Sequence, residues 1–381
     1  MYNYISLNKR NLLQKEVQPM AIHFNSLSRQ EQEMWIKTAI PYWNPRRLLD
    51  YSPTELDSMS GYNVAGKVIE NTKEKLLLEI EDNPYVIPAD LDERFRIIEG
   101  IHQRTMWESP YAQKLKFGHD DFYCVASAGA AIILQDLKGN LGLLSTFRVA
   151  PENISYAGSW NITIGAARYN SKEDGLGEHT DLISTTKRRV LHDYGLINKR
   201  YNKLIIPRVY ANALVPEEKM ELIELAAKKI KGMYCGRNKP PTDIELADSD
   251  FLRLVGEKEI QIQHNGKVYV RKMALPVFGE YLHDLNLVKA IKITVSSFED
   301  IIPYDLQENA KTGESLNKMI AIFRLDPNSY RPVLNQYGEP VIIIAFQSGV
   351  MVDFGKMPKS IVPVPSLKAV FGSLQNKSSS F

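Results

Sequence analysis

Between Lys187 and Arg208 the chain carries seven basic residues: Lys187, Arg188, Arg189, Lys199, Arg200, Lys203 and Arg208. Asp193 is the one acid within that span, Tyr194 and Tyr201 are interleaved, and Tyr210 follows. Cations spaced in this way neutralise phosphates, and tyrosines between them offer faces on which bases stack. Lys187, Lys199, Arg200, Lys203, Arg208 and Tyr201 are therefore candidates for a local nucleic-acid contact. The competing reading is a solvated helix end, where carbonyl dipoles favour basic side chains.

Other chemical signals are sparser. His179 stands beside Glu178 and Asp181, and His119 precedes Asp120 and Asp121. Such clusters can ligate a metal, but a polar loop is the better account of each. No Gly-Lys-Ser/Thr phosphate loop occurs. Ala126-Ser127-Ala128-Gly129-Ala130 has a single glycine, too few for a dinucleotide fingerprint. Neither Ser127 nor Ser348 sits in a nucleophile elbow. Cys124, between Tyr123 and Val125, reads as core.

The chain of 381 residues is long enough for two or three domains. Its 44% hydrophobic and 24% charged residues exclude a wholly disordered chain or a fibre. Lys plus Arg number 47 against 45 Asp plus Glu, a net charge of +2, so only a local patch can attract a polyanion. Two cysteines, Cys124 and Cys235, form no metal-ligand spacing or disulfide framework, which points to a reducing, cytoplasmic setting. The first ten residues lack the apolar core of a signal peptide, and no apolar run is long enough to span a membrane.

The elements that must position these residues are legible in part. Ser28, with Glu31 three residues on, predicts a capped helix to about Ile40. Residues 62–81 read as two strands around Asn71-Thr72-Lys73, and a helix is expected from Leu91 to about Met106. Ala130–Gln135 and Leu141–Arg148 read as a hairpin turning at Gly139-Asn140. Trp160–Gly165 reads as a strand, 170–180 as a polar loop, and Asp181–Tyr194 as a helix ended by Gly195. A strand is expected over Lys203–Leu214 and a helix from Pro216 to about Lys231. Further on come a hairpin across His264-Asn265-Gly266, a strand over Leu287–Ser296, and a short helix or turn at Phe298–Ile302. Strands are also expected over Lys318–Leu325 and Pro340–Phe346, with a weaker one at Met351–Phe354.

This order resembles a Nudix domain over about residues 121–310. The resemblance rests on the hairpin from Ile132 through Phe147-Arg148, on Trp160-Asn161-Ile162-Thr163-Ile164-Gly165-Ala166, and on Lys187-Arg188-Arg189-Val190-Leu191-His192-Asp193-Tyr194-Gly195-Leu196. Lys289–Val295 followed by Phe298–Ile301 is similar to the late strand and short helix of that fold. With Gly195 as the last glycine of the family's box, Arg188, Val190 and Leu196 agree with the pattern. Asp193 takes the place of the last glutamate, while Arg189 and His192 occupy the other two. Thr180 takes the upstream glutamate position, beside Glu178. Nudix hydrolysis needs carboxylates on one helix face to hold Mg²⁺ or Mn²⁺ against a pyrophosphate. A face of Arg189, His192 and Asp193 is poorly suited to that, because cations repel the metal.

The expected fold is therefore α+β: a Nudix-like mixed sheet flanked by helices over 116–310, an N-terminal α+β unit over 1–115, and a C-terminal β-rich extension over 311–381. The resemblance implies a catalytically degenerate scaffold that binds a nucleotide-like molecule or a protein partner, and places Arg148, Arg168, Arg188 and Arg189 against phosphate. No cofactor is expected. Mg²⁺ or Mn²⁺ enters only under the alternative of an active hydrolase of a nucleoside-diphosphate-linked substrate, with Glu178, Asp181 and Asp193 as displaced ligands. A structural or nucleic-acid-binding role is the third reading. No membrane partner is expected.

Overall fold

The computed structural model describes residues 28–30, 64–81, 122–147, 158–162, 164–167, 194–211, 241, 243–264, 266–270, 273–279, 284–305, 319–347, 350–351 and 363–374, with Pro216, Glu217, Lys219, Met220, Glu221, Ile223, Glu224 and Ala227. The chain is a mixed α+β protein built mostly of sheet.

Local turn chemistry sets the first two hairpins. Strands β1 (Val64–Asn71) and β2 (Lys75–Glu81) pair antiparallel. Thr72 Oγ1 closes their turn by accepting from the Glu74 N–H at 3.3 Å and the Lys75 N–H at 3.0 Å. Strands β3 (Phe122–Gln135) and β4 (Leu141–Phe147) follow. Asp136 Oδ1 accepts from the Lys138 and Asn140 N–H groups at 2.9 and 2.8 Å, and Gly139 takes the left-handed φ of 83° that their turn requires.

Beyond Leu144 the strands β3 and β4 separate, and the next two strands enter the gap. Strand β5 (Trp160–Ile162) pairs with β4, and β6 (Ile164–Ala167) pairs with β3. Strands β7 (Tyr194–Asn198) and β8 (Lys203–Pro207) form a hairpin that leads into helix α1 (Arg208–Ala211). Then come β9 (Asp243–Ala247), β10 (Ser249–Leu252), β11 (Glu259–His264), β12 (Lys267–Val270), β13 (Leu275–Phe278), β14 (Asp284–Thr294) and β15 (Ile301–Asp305). Strands β16 (Met319–Leu325), β17 (Ile342–Gln347) and β18 (Val350–Met351) and helix α2 (Pro365–Ser373) complete the described chain.

Among the described residues fourteen strands make one large sheet, and β15-β7-β8-β9 make a second, smaller one. The long strand β3 is the spine. Strand β14 runs parallel along one edge of it, while β1, β6 and β4 share the other. A strand covered on both faces reads as a continuous apolar run, and Ala130 through Leu134 are all buried. On one face Ile132, Leu134, Ile291 and Ile293 pack with Leu196, Leu204 and Ile206 of the small sheet. On the other, Ile133, Leu143, Val288 and Phe323 pack with Leu367 and Val370 of α2. The architecture is thus three-layered: small sheet, large sheet, helix.

One end of the large sheet closes on itself. The pairings run β11–β2, β2–β1, β1–β3, β3–β14 and β14–β13. Ala274, just before β13, then exchanges both backbone hydrogen bonds with Lys258, just before β11, at 3.0 and 3.1 Å. The ring encloses a separate apolar core of Leu76, Leu78, Ile260, Ile262, Leu285 and Leu287. Lys258 Nζ also donates to Asn71 Oδ1 at 2.7 Å and to the Thr72 carbonyl, tying this seam to the β1–β2 turn.

Several expectations need correction. Tyr194 and Gly195 are not the end of a helix; they begin β7 and face Asp305 and Tyr304 of β15. The strand expected over Lys203–Leu214 stops at Pro207, where the chain turns helical. Of the short helix or turn expected from Phe298, the structure has the turn, and a strand follows from Ile301. Helix α2 lies in a tail read as β-rich. The large sheet takes in strands from all three expected segments, since β1 pairs with β3 and β16 pairs with β4. The helices expected over 91–106 and 181–193 and the loop over 170–180 lie outside the described residues, as does the helix expected from Ser28 beyond Gln30.

Candidate functional site

Of the residues nominated from sequence, Lys199, Arg200, Tyr201, Lys203 and Arg208 are described. Arg148, Arg168, Glu178, Asp181, Lys187, Arg188, Arg189 and Asp193 lie outside the described residues.

The described part of the basic stretch is the β7–β8 hairpin and its exit. The backbone turns over Lys199–Asn202, where Asn202 adopts a left-handed φ of 50°, a conformation asparagine tolerates. Asn198 fixes the turn from below. Its side-chain oxygen accepts from the N–H groups of Arg200 at 3.1 Å and Tyr201 at 3.3 Å, and its amide donates to Glu245 Oε2 at 3.2 Å. Asn198 itself is only 2% exposed. The Lys199 N–H donates to the Asp300 carbonyl at 2.7 Å, so the neighbouring turn braces the tip.

On this rigid base sits an exposed cation–aromatic pair. The Arg200 guanidinium lies 5.5 Å from the centre of the Tyr201 ring, and Tyr201 is 54% exposed. Such stacking restrains the guanidinium while leaving its donors available. The tip can therefore offer a planar hydrogen-bond donor, an ammonium and an aromatic face to one ligand.

The rest of the stretch is less basic than its sequence. Parallel pairing of β8 with β9 sets Lys203 opposite Asp243, and their charges lie 3.7 Å apart. Arg208 Nη2 lies 3.1 Å from Asp248 Oδ1. Both acids come from about 40 residues downstream, so the local sequence hides them. Among the described residues Lys199 and Arg200 have no ion-pair partner. Those two cations by themselves would contribute a counterion-release slope of about −1.4 to −1.8 in log K against log salt.

A second charged pair was not anticipated. Lys289, in the middle of β14, and Glu257, in the turn after β10, are 9% and 8% exposed. Lys289 Nζ lies 3.3 and 3.4 Å from the two Glu257 carboxylate oxygens and 5.9 Å from the centre of the Phe251 ring. In the sequence Lys289 looks like the solvent-facing residue of an ordinary alternating strand. Only the return of the chain at Glu257 converts it into a buried partner.

Buried polar groups also gather beside α2. Ser145 Oγ donates to the Asn161 carbonyl, and Ser366 Oγ donates to Asn161 Oδ1 at 3.4 Å. The Trp160 indole N–H is buried and unpartnered, with the ring set against Phe147 and Phe323 at 5.2 Å.

No three His, Cys, Asp or Glu side chains among the described residues are placed to hold a metal ion. No described helix is long and apolar enough to cross a membrane. Compared with known protein families, with curated proteins and with solved structures, the chain finds no match.

Proposed function

We propose that this protein is a catalytically degenerate, Nudix-like binding scaffold that holds a nucleotide-like ligand or a protein partner without hydrolysing it. The observation that carries the reading is the exposed Arg200–Tyr201 stack, fixed by Asn198 and braced through Asp300. A preorganised donor beside an aromatic face lowers the ordering cost of binding. The order of elements supports the scaffold: a β3–β4 hairpin, a tryptophan strand in β5, and a late strand, β14, parallel to β3. The replacement of two box glutamates by Arg189 and His192 supports binding over metal-dependent cleavage.

The test is thermal stability of the full chain with mononucleotides and dinucleoside polyphosphates, with and without Mg²⁺. A ligand at 100 times its dissociation constant stabilises the folded state by about 2.7 kcal/mol. The expected result is a metal-independent shift without turnover, lost in Arg200→Ala and Tyr201→Ala. Mg²⁺-dependent product formation would replace the scaffold reading with the hydrolase.

A further inference from the structure

We infer that the end of the small sheet bearing the β7–β8 tip is a self-complementary interface for a second copy of this chain. The inference extends the binding-scaffold reading to its partner, and stands on charge placement along that end. Strand β7 ends at Asn198 opposite Ile301, the first residue of β15, so the β7–β8 tip and the Ser297–Asp300 turn are neighbours. The Lys199-to-Asp300 backbone hydrogen bond fastens them together. Lys199 and Arg200 are therefore set beside Glu299, which is exposed. Among the described residues none of these three has an ion-pair partner, although both signs are present on adjacent turns. On the far side, Asp243 flanks Lys203.

With Glu299 beside Lys199 and Arg200, and Lys203 already paired to Asp243, this mixed row is poorly matched to a long polyanion. It suits a surface that presents an acid opposite Arg200 and a base opposite Glu299. The same end meets that condition when rotated by a two-fold axis: Arg200 of each copy faces Glu299 of the other, and one contact generates its symmetric twin. Tyr201 and Arg200 are also residue types that concentrate binding energy at interfaces, and their turn is already ordered.

Sedimentation equilibrium of the full chain across concentration and salt tests the proposal. The expected result is a reversible dimer that weakens as salt rises. Arg200→Glu should raise its dissociation constant by at least about tenfold, through like charges brought together. Arg200→Glu with Glu299→Arg should restore it, because the swap re-forms both pairs. Circular dichroism of the variants checks that these exposed substitutions leave the fold intact. A monomer at every concentration, a dimer indifferent to Arg200→Glu, or a charge swap without rescue would each overturn the interface. So would a monomer that binds a 20-nucleotide single strand through Arg200. The scaffold reading fails separately, by Mg²⁺-dependent product formation from a nucleotide, an outcome that leaves the dimer untouched.

Discussion

Replacing Lys289 by methionine keeps most of the side chain's length and removes its charge. The carboxylate of Glu257 would then stay buried, 8% exposed, with the ammonium 3.3 Å away gone. Breaking a buried pair by removing one partner costs about 3–5 kcal/mol, because an uncompensated charge remains in a poorly solvated place. Removing both charges at once, as Glu257→Met with Lys289→Met, deletes the penalty along with the attraction. Such double replacements range from about neutral to about 1–4 kcal/mol stabilising. The double variant should therefore be far more stable than the sum of its singles. Urea unfolding gives the comparison, with the midpoint read at constant slope. Hydrogen exchange of the β14 amides locates the effect. A cost below about 1 kcal/mol for Lys289→Met would refute the reasoning, since it would give the pair the worth of a surface salt bridge. Additive singles would refute it as well.

Three further outcomes are expected. In Gly142→Ala, the new methyl would lie 2.2 Å from Ile322 Cγ2, a branch fixed at its own Cβ, so β4 or β16 must shift. The cost should be about 1–3 kcal/mol by urea unfolding, and Ile322→Ala in the same chain should recover part of it. Asn198→Ala strips the acceptor from two tip amides, should cost about 1–3 kcal/mol, and should speed exchange at Arg200 and Tyr201. The Ser329 backbone N–H, then the Ser329 hydroxyl, hold the Asp326 carboxyl below its ordinary 3.8. A depressed carboxylate stabilises its turn above the unfolded value and loses that contribution as pH falls through the folded one. Acid-induced exchange at Ser329 should follow that course and disappear in Asp326→Asn.

What the sequence revealed was the chemistry of short loops. Asn71-Thr72-Lys73, Asp136–Asn140 and His264–Gly266 carry their own turn acceptors or glycines, and all three hairpins stand where the residues place them. The small sheet was harder to read because its pairings are not local. Tyr194-Gly195 looks like a helix end until β15, more than 100 residues later, supplies the strand it pairs with. Helix α2 has no side-chain cap, and Pro365 at its first position is masked by the neighbouring Pro363 in an apolar, proline-rich stretch, so its start is a weak sequence signal. The basic stretch misled in the same way. Its cations were visible, but Asp243 and Asp248, which pair with two of them, arrive through a parallel strand.

The parallel pairing of β3 with β14 also sets a timetable for synthesis. Strand β3 ends at Gln135 and β14 begins at Asp284, so about 150 residues must be made before the spine meets its main partner. At about 5–20 residues per second on the ribosome, that is a wait of roughly 8–30 s. During it the run Ala130-Ala131-Ile132-Ile133-Leu134 has one hydrogen-bonding edge open, which is the profile of a segment prone to pair with another nascent chain. The partners made early, β1, β4 and β6, all lie along the other edge. Yield in the cell should then depend on translation speed and on chaperones that hold such edges more than on the stability of the finished molecule.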